Sequence, residues 1–158
     1  MTDYHSHILP GMDDGSRSVE ESLSLLREEV RQGIDTVVMT PHFYSGQNSP
    51  RRFLKRRFDS FQKLLPRLDR SCPRIILGAE VQFFPGISDC EDLSLLTIGQ
   101  TKLLLLEMPF SRWDRQTVQE TLLLGECRDV RVVLAHIDRY YTCLLYTSPS
   151  PRDRSLSR

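Results

Sequence analysis

Short apolar runs alternate with stretches in which apolar residues recur every three or four positions, and this alternation holds to about position 142. Asp3 to Ile8 predicts a short strand. Ser18-Val19-Glu20-Glu21 has the form of a capping box, with Ser18 capping and Glu21 reaching back. It opens a helix whose apolar positions Val19, Leu23, Leu26 and Val30 keep helical spacing until Gly33 closes it. Thr36 to Thr40 is β-branched and bounded by Pro41, which predicts a second strand. Ser49-Pro50 starts a second helix, cap then first-turn proline, with the stripe Leu54, Phe58, Phe61, Leu65 and Leu68. Pro66 is expected to end or kink it. Arg74 to Leu77, Lys102 to Leu106 and Val130 to Leu134 predict three further strands, and Gln116 to Leu124 a helix stopped by Gly125. Residues 88–100 follow neither period.

Strands alternating with helices in this way predict an α/β fold with a parallel sheet covered by helices, open or closed as a barrel. The 158 residues suit one domain, and 21 basic against 21 acidic side chains give no bulk charge for nucleic acid or an anionic membrane. No apolar run has the length of a membrane span, and no secretory leader pattern opens the chain. Cys72, Cys90, Cys127 and Cys143 lack the paired spacing of a zinc knuckle and are too sparse for a disulfide scaffold, so reduced thiols in the cytoplasm are expected.

The last residues have a different texture. Cys143 to Asp153, CLLYTSPSPRD, matches eleven consecutive codons of a transposase-type sequencing adapter read as coding sequence. Residues 143–158 are therefore expected to be a non-native tail, and residues 1–142 the N-terminal part of a longer domain.

The chemistry gathers where the predicted strands end. His5 and His7 close the first strand, and Pro41-His42 follows the second. Gly78-Ala79-Glu80 follows the third, Glu107 the fourth, and Ala135-His136 the fifth. In parallel α/β folds these ends form one rim, where reactive groups collect. Side chains two apart on a strand share a face about 7 Å apart along the backbone, so the two imidazoles can grip one cation. A bend through Pro10-Gly11 can return Asp13 or Asp14 to the same rim. Singly, each residue has an ordinary explanation as a loop histidine, a cap or an ion-pair partner. Five successive deliveries to one edge argue for metal. A His, Asp and Glu set without Cys suits Mn, Fe or Zn, and the surplus of ligands suggests a multinuclear site.

The segments DYHSHILPGMDDGSRSVEESL, TPHF, GAE, LLLLEMPF and LAHIDRY resemble the polymerase-and-histidinol-phosphatase (PHP) superfamily over essentially all of residues 1–142. More narrowly, they resemble its manganese-dependent tyrosine-protein phosphatases of bacterial capsule and exopolysaccharide operons. The resemblance implies a PHP-type distorted (β/α)7 barrel, incomplete here because the last strands are missing, with a cluster of three divalent ions. It implies that His5, His7 and Glu80 bind one ion, that Glu80 bridges to a second held by Glu107 and His136, and that Asp14 and His42 serve the third. Arg139 matches the arginine that steadies the substrate phosphate. Asp138 and Ile137 stand where the family commonly has Glu and often Pro. The family's late Ser-Asp-x-His motif has no counterpart, so seven of nine ligands are expected, which puts the activity of the fragment itself in question.

The implied function is hydrolysis of phosphotyrosine on a bacterial tyrosine kinase, or on its tyrosine-rich tail, by in-line attack of metal-bound hydroxide without a phosphoenzyme. No cysteine heads the C-x5-R loop of thiol-dependent tyrosine phosphatases. The alternative is another phosphoesterase of the superfamily, histidinol phosphatase-like or nuclease-like. An amidohydrolase-type enzyme also opens with H-x-H, but Lys102 begins a strand where a carboxylated lysine should end one. A non-catalytic binding domain would have lost ligands, yet each position before the cut is filled. Arg51, Arg52, Lys55, Arg56 and Arg57 form a basic patch, more simply a solvated helix face than a docking site for an acidic tail. Phe110 and Trp113 are placed either to stack on a tyrosine ring or to pack.

Overall fold

The computed structural model describes residues 1–126 and 129–140. Cys127 and the tail from Cys143 lie outside these residues. In chain order the elements are β1 (Thr2–Ser6), α1 (Val19–Arg31), β2 (Thr36–Met39), β3 (His42–Phe43), α2 (Pro50–Leu64), β4 (Arg74–Leu77), β5 (Glu80–Gln82), β6 (Leu103–Glu107), α3 (Arg115–Glu126) and β7 (Arg131–Leu134). All pairings are parallel, in the orders β1-β2-β4 and β3-β5-β6-β7.

The two groups are one twisted sheet interrupted at a single level. Thr36 pairs with Arg74 and His42 pairs with Glu80, so the same offset of 38 residues holds on both sides of the break. Pro41 has no N–H to give the ladder. Gly78 N donates to Met39 O (2.8 Å) and Glu80 N to Pro41 O (3.1 Å), which carries the alignment across. The strands β3 and β5 are thus continuations of β2 and β4, too short for periodicity to have announced them. Among the described residues the sheet stays open, with β1 and β7 as its outer strands.

Alternation assigns the two faces of the sheet. Val37, Met39, Leu104 and Leu106 enter the core beneath the helices. Thr36, Val38, Ile76 and Leu103 line a groove on the other face. In β1 a bulge intervenes: Asp3 pairs with Val37 but Ser6 with Met39. The extra residue reverses the alternation, so His5 and His7 turn to the groove face in place of Ser6.

The helices follow their sequence signals with instructive departures. Ser18 Oγ accepts from Glu21 N (3.1 Å), but the Glu21 carboxylate reaches one residue further back, to Arg17 N at 2.7 Å, so the box is not closed on Ser18 itself. Gly33 N bonds Val30 O and Ile34 N bonds Glu29 O, both at 3.0 Å, which completes a Schellman ending. Val30, expected inside, is 40% exposed. In α2 the buried stripe is Phe53, Ser60 and Leu64, with Arg57 half-buried between them. Phe58 and Leu65, expected on that stripe, are exposed. The true face contains an arginine and a serine, and an apolar count passes over it. Ser60 Oγ earns its burial by donating to Pro10 O (2.7 Å). The helix gives way at Leu65–Arg67 to a 3-10 turn around Pro66, as a helix-breaking proline requires. Gly125 does not stop α3, which runs to Glu126. Residues 88–100 hold 3-10 turns, Ile87–Asp89 leading in and Leu93–Leu96 following. No helix among the described residues is long and apolar enough to cross a membrane.

Candidate metal centre

Glu80 is the hub of the rim. Its carboxylate is fully buried, and imidazoles from three different segments surround it. His5 Nε2 and His7 Nε2 lie 3.0 and 3.1 Å from Oε2, His42 Nδ1 lies 3.3 Å from Oε2, and His136 Nε2 lies 3.0 Å from Oε1. Glu107 approaches from β6, its Oε2 4.0 Å from His42 Nδ1. Asp14 stands at the outer edge, Oδ1 3.9 Å from His42 Nε2. Seven residues expected as ligands are therefore brought to one place.

Their ligand atoms fall into three overlapping groups, each within 4.8 Å: His5, His7 and Glu80; His7, Asp14 and His42; His42, Glu80 and Glu107. His136 joins through Glu80. Despite these distances, both Glu80 oxygens and His42 Nδ1 are buried without a hydrogen-bond partner. A buried carboxylate left that way is costly. Donors held about 2.1 Å from a divalent ion sit about 3.0 Å apart at a right angle and about 3.4 Å apart at a tetrahedral angle. The observed separations of 3.0–3.3 Å match that bite, and the donor set suits the same ions. The residues present fit a cation cluster.

Electrostatics agree. Burial alone would raise the Glu80 carboxyl, but the adjacent His5 and His7 rings, with the charge of His5 and His42, pull it far below the ordinary carboxylate range. Burial would likewise lower His7. Asp13 and Glu80 outweigh it and raise the ring to about 10.

Asp13 is the residue that a reading of ligands alone leaves out. Its Oδ2 holds His7 Nδ1 (2.7 Å) and accepts from His42 N (2.9 Å), while Oδ1 accepts from Gly15 N (3.0 Å). It fixes the His7 ring with Nε2 facing Glu80, as carboxylates behind metal-bound histidines do. Burial would raise its carboxyl, and the bonds from His7, His42 and Gly15 lower it. The adjacent pair Asp13-Asp14 was the available signal, and the fold divides the labour between them. Tyr44 stacks on His42 (5.2 Å between centroids, 22°), a contact that sequence spacing does not reveal.

Two backbone features aim the ligands. A Cβ on Gly15 would lie 2.2 Å from His7 O, so the loop from Ile8 to Ser16 can fold beneath His7 only with glycine there. His136 takes φ +50°, a left-handed conformation that costs a non-glycine residue about 1–3 kcal/mol and is typical of functional sites.

Arg139, in the turn Ile137–Tyr140, is exposed, with its guanidinium 5.7 Å from the Phe110 ring. It stands beside the rim and not within the ligand groups. Phe110 is also exposed and stacks on Tyr140, whereas Trp113 packs against Tyr140 and donates to Pro109 O. Of the basic patch, Arg51 pairs with Asp92 and Lys55 with Asp59, and both lie in solvent.

A parallel α/β sheet that gathers a buried carboxylate and imidazoles at its C-terminal rim is the arrangement of a candidate metal-binding α/β domain. The family model described as "Capsular polysaccharide synthesis, CpsB/CapC" matches residues 1–148, and the chain belongs to that family. It is 34% identical over 122 residues to tyrosine-protein phosphatase YwqE of Bacillus subtilis, covering 75% of this chain and 47% of that protein. To tyrosine-protein phosphatase CpsB of Streptococcus pneumoniae it is 31% identical over 145 residues, covering 89% and 58%. Among solved structures it matches one described with YwqE and CpsB as unique metal-dependent tyrosine phosphatases, at TM-score 0.67 and 28% identity, over 88% of this chain and 56% of that one. The chain thus spans about half the length of the curated relatives it matches.

Proposed function

We propose that residues 1–142 are the N-terminal part of a manganese-dependent protein-tyrosine phosphatase, and that residues 143–158 are a non-native tail. The observation that carries this reading is the buried Glu80 carboxylate among four imidazoles at 3.0–3.3 Å, with no hydrogen bond to satisfy it. The names of the relatives supply the substrate class. The physiological substrate is a phosphorylated bacterial tyrosine kinase, or its tyrosine-rich tail, that governs capsule or exopolysaccharide synthesis in the cytoplasm.

His5, His7 and Glu80 would hold one ion, Glu80 with Glu107 and His136 a second, and Asp14 with His42 a third. Bound divalent ions supply a water of lowered pKa and positive charge for the phosphoryl oxygens. Asp13 keeps the His7 proton on Nδ1 and leaves Nε2 free as a ligand. Arg139 offers a guanidinium fork that stays charged at any working pH and suits a phosphate dianion. Cys72 and Cys90 are both partly exposed, and neither heads the C-x5-R loop of a thiol-dependent phosphatase.

The test is phosphate release from a phosphotyrosyl peptide by the complete protein from the uninterrupted gene. Turnover is expected to vanish with EDTA, return with Mn2+ and withstand iodoacetamide. Undiminished turnover after exhaustive chelation would overturn the reading.

A further inference from the structure

Arg57 departs from its neighbours in the basic run that opens α2. Arg51 and Lys55 pair with carboxylates in solvent, and Arg56 reaches Met12 O at 3.3 Å. Arg57 instead turns inward on the buried stripe, packs its guanidinium 5.7 Å from the centre of the Phe53 ring, and donates to Gly78 O at 2.5 Å. No carboxylate among the described residues pairs with it. Burial lowers its pKa to about 10, a large displacement for a guanidinium. A cation desolvated without a counter-ion is expensive, so the bond it makes has to matter.

That bond ends on the peptide leading to Glu80. Gly78 lies at the break in the sheet, between β4 and β5, and is buried. Its N–H is fixed by Met39 O, and the next bond of the ladder joins Glu80 N to Pro41 O. A side chain at Gly78 would press on Ile98 Cγ1 and Thr40 Cγ2, each 3.2 Å from its Cβ. The remaining group is the Gly78 carbonyl, which receives no backbone donor among the described residues. A buried carbonyl needs one, and Arg57 provides it from α2.

We propose that Arg57 is a positioning residue for the metal centre: by holding the Gly78 carbonyl it sets the Gly78-Ala79 peptide, and through it the Glu80 carboxylate shared by two of the three ligand groups. The inference rests on the metal-centre reading above. A bridging carboxylate tolerates displacements of only about 0.5 Å before ligation suffers, so the helix that supplies Arg57 controls cation affinity without touching a cation. The sign of the effect separates this role from simple charge. A nearby cation repels metal ions, so removing Arg57 tightens metal binding if charge dominates and loosens it if positioning dominates.

The experiment is Mn2+ titration of the full-length protein, followed by electron paramagnetic resonance of the free ion, together with melting temperatures in EDTA and in Mn2+. Arg57→Met is expected to weaken Mn2+ binding at least tenfold. Arg57→Lys, which keeps a donor, is expected to stay within threefold of the unsubstituted protein, and Lys55→Met, whose partner Asp59 lies in solvent, to leave it unchanged. Should Arg57→Met not fold, Arg57→Gln, which is too short to reach the carbonyl, takes its place with the same expectation. Unchanged or tighter Mn2+ binding in the Met or Gln variant overturns the proposal. So does equal loss in the Lys variant, or a lowered melting temperature in EDTA with affinity intact, which would mark a brace and nothing more. Failure of the unsubstituted protein to bind Mn2+ overturns the metal reading itself, and this inference with it.

Discussion

The strands β2 and β4 and their continuations β3 and β5 lie on the same two runs of chain yet do different work. The former are four residues each, rich in Val and Ile, and pair over their full length. The latter are two and three residues long, and each begins with a candidate ligand, His42 and Glu80, paired directly with one another. Stability and register are settled in the long segments. The short ones inherit that register across Pro41 and Gly78 and spend it on aligning an imidazole with a carboxylate. A site can thus be placed by pairing that occurs several residues away from it.

If that division holds, substitutions at the rim should strike metal binding and those in the scaffold should strike stability. The largest effect belongs to Glu80→Gln, which keeps the shape but removes the charge shared by two of the three ligand groups. Mn2+ affinity measured by titration should fall on the order of 1,000-fold. Gly15→Ala should affect both quantities, because its Cβ would meet the His7 backbone at 2.2 Å. A loss of about 3 kcal/mol in urea unfolding is expected, with weakened Mn2+ binding alongside. Asp13→Asn leaves the ligands in place and removes the group that orients His7, so affinity should drop about 10–100-fold. In the unsubstituted protein, His7 keeps its proton up to about pH 10 until a cation displaces it. Mn2+ binding should therefore tighten as pH rises from 6 to 8, by about tenfold per pH unit for each proton released, and an affinity independent of pH would contradict the cluster described. Smallest is Ser18→Ala, which removes the α1 cap. About 1 kcal/mol of stability should go, and Mn2+ affinity should stay within a factor of two.

Much of this was legible in the sequence. β-branched runs marked β2 and β4, and the residue following each strand marked the rim, because strand ends in parallel sheets share an edge. What escaped had physical reasons. Two- and three-residue strands are shorter than any period that could reveal them. The buried face of α2 passes through Arg57 and Ser60, whose polarity hides it from an apolar count. Alternation put both rings of the H-x-H pair on one face, but which face that is depends on the bulge after Asp3, which no periodicity announces. Asp13 and Asp14 are adjacent and chemically identical, so their separate duties appear only once the loop through Pro10 is folded.

One contact spans the open sheet. The outer strands β1 and β7 exchange no backbone hydrogen bonds among the described residues, yet the His5 and His136 rings sit 4.8 Å apart, with a Glu80 oxygen 3.0 Å from each. Ions held there would act as a clasp between the beginning and the end of the described fold. Chelation would unfasten it, so amide protons of both outer strands should exchange faster together, while those of β2 and β4 keep their pace.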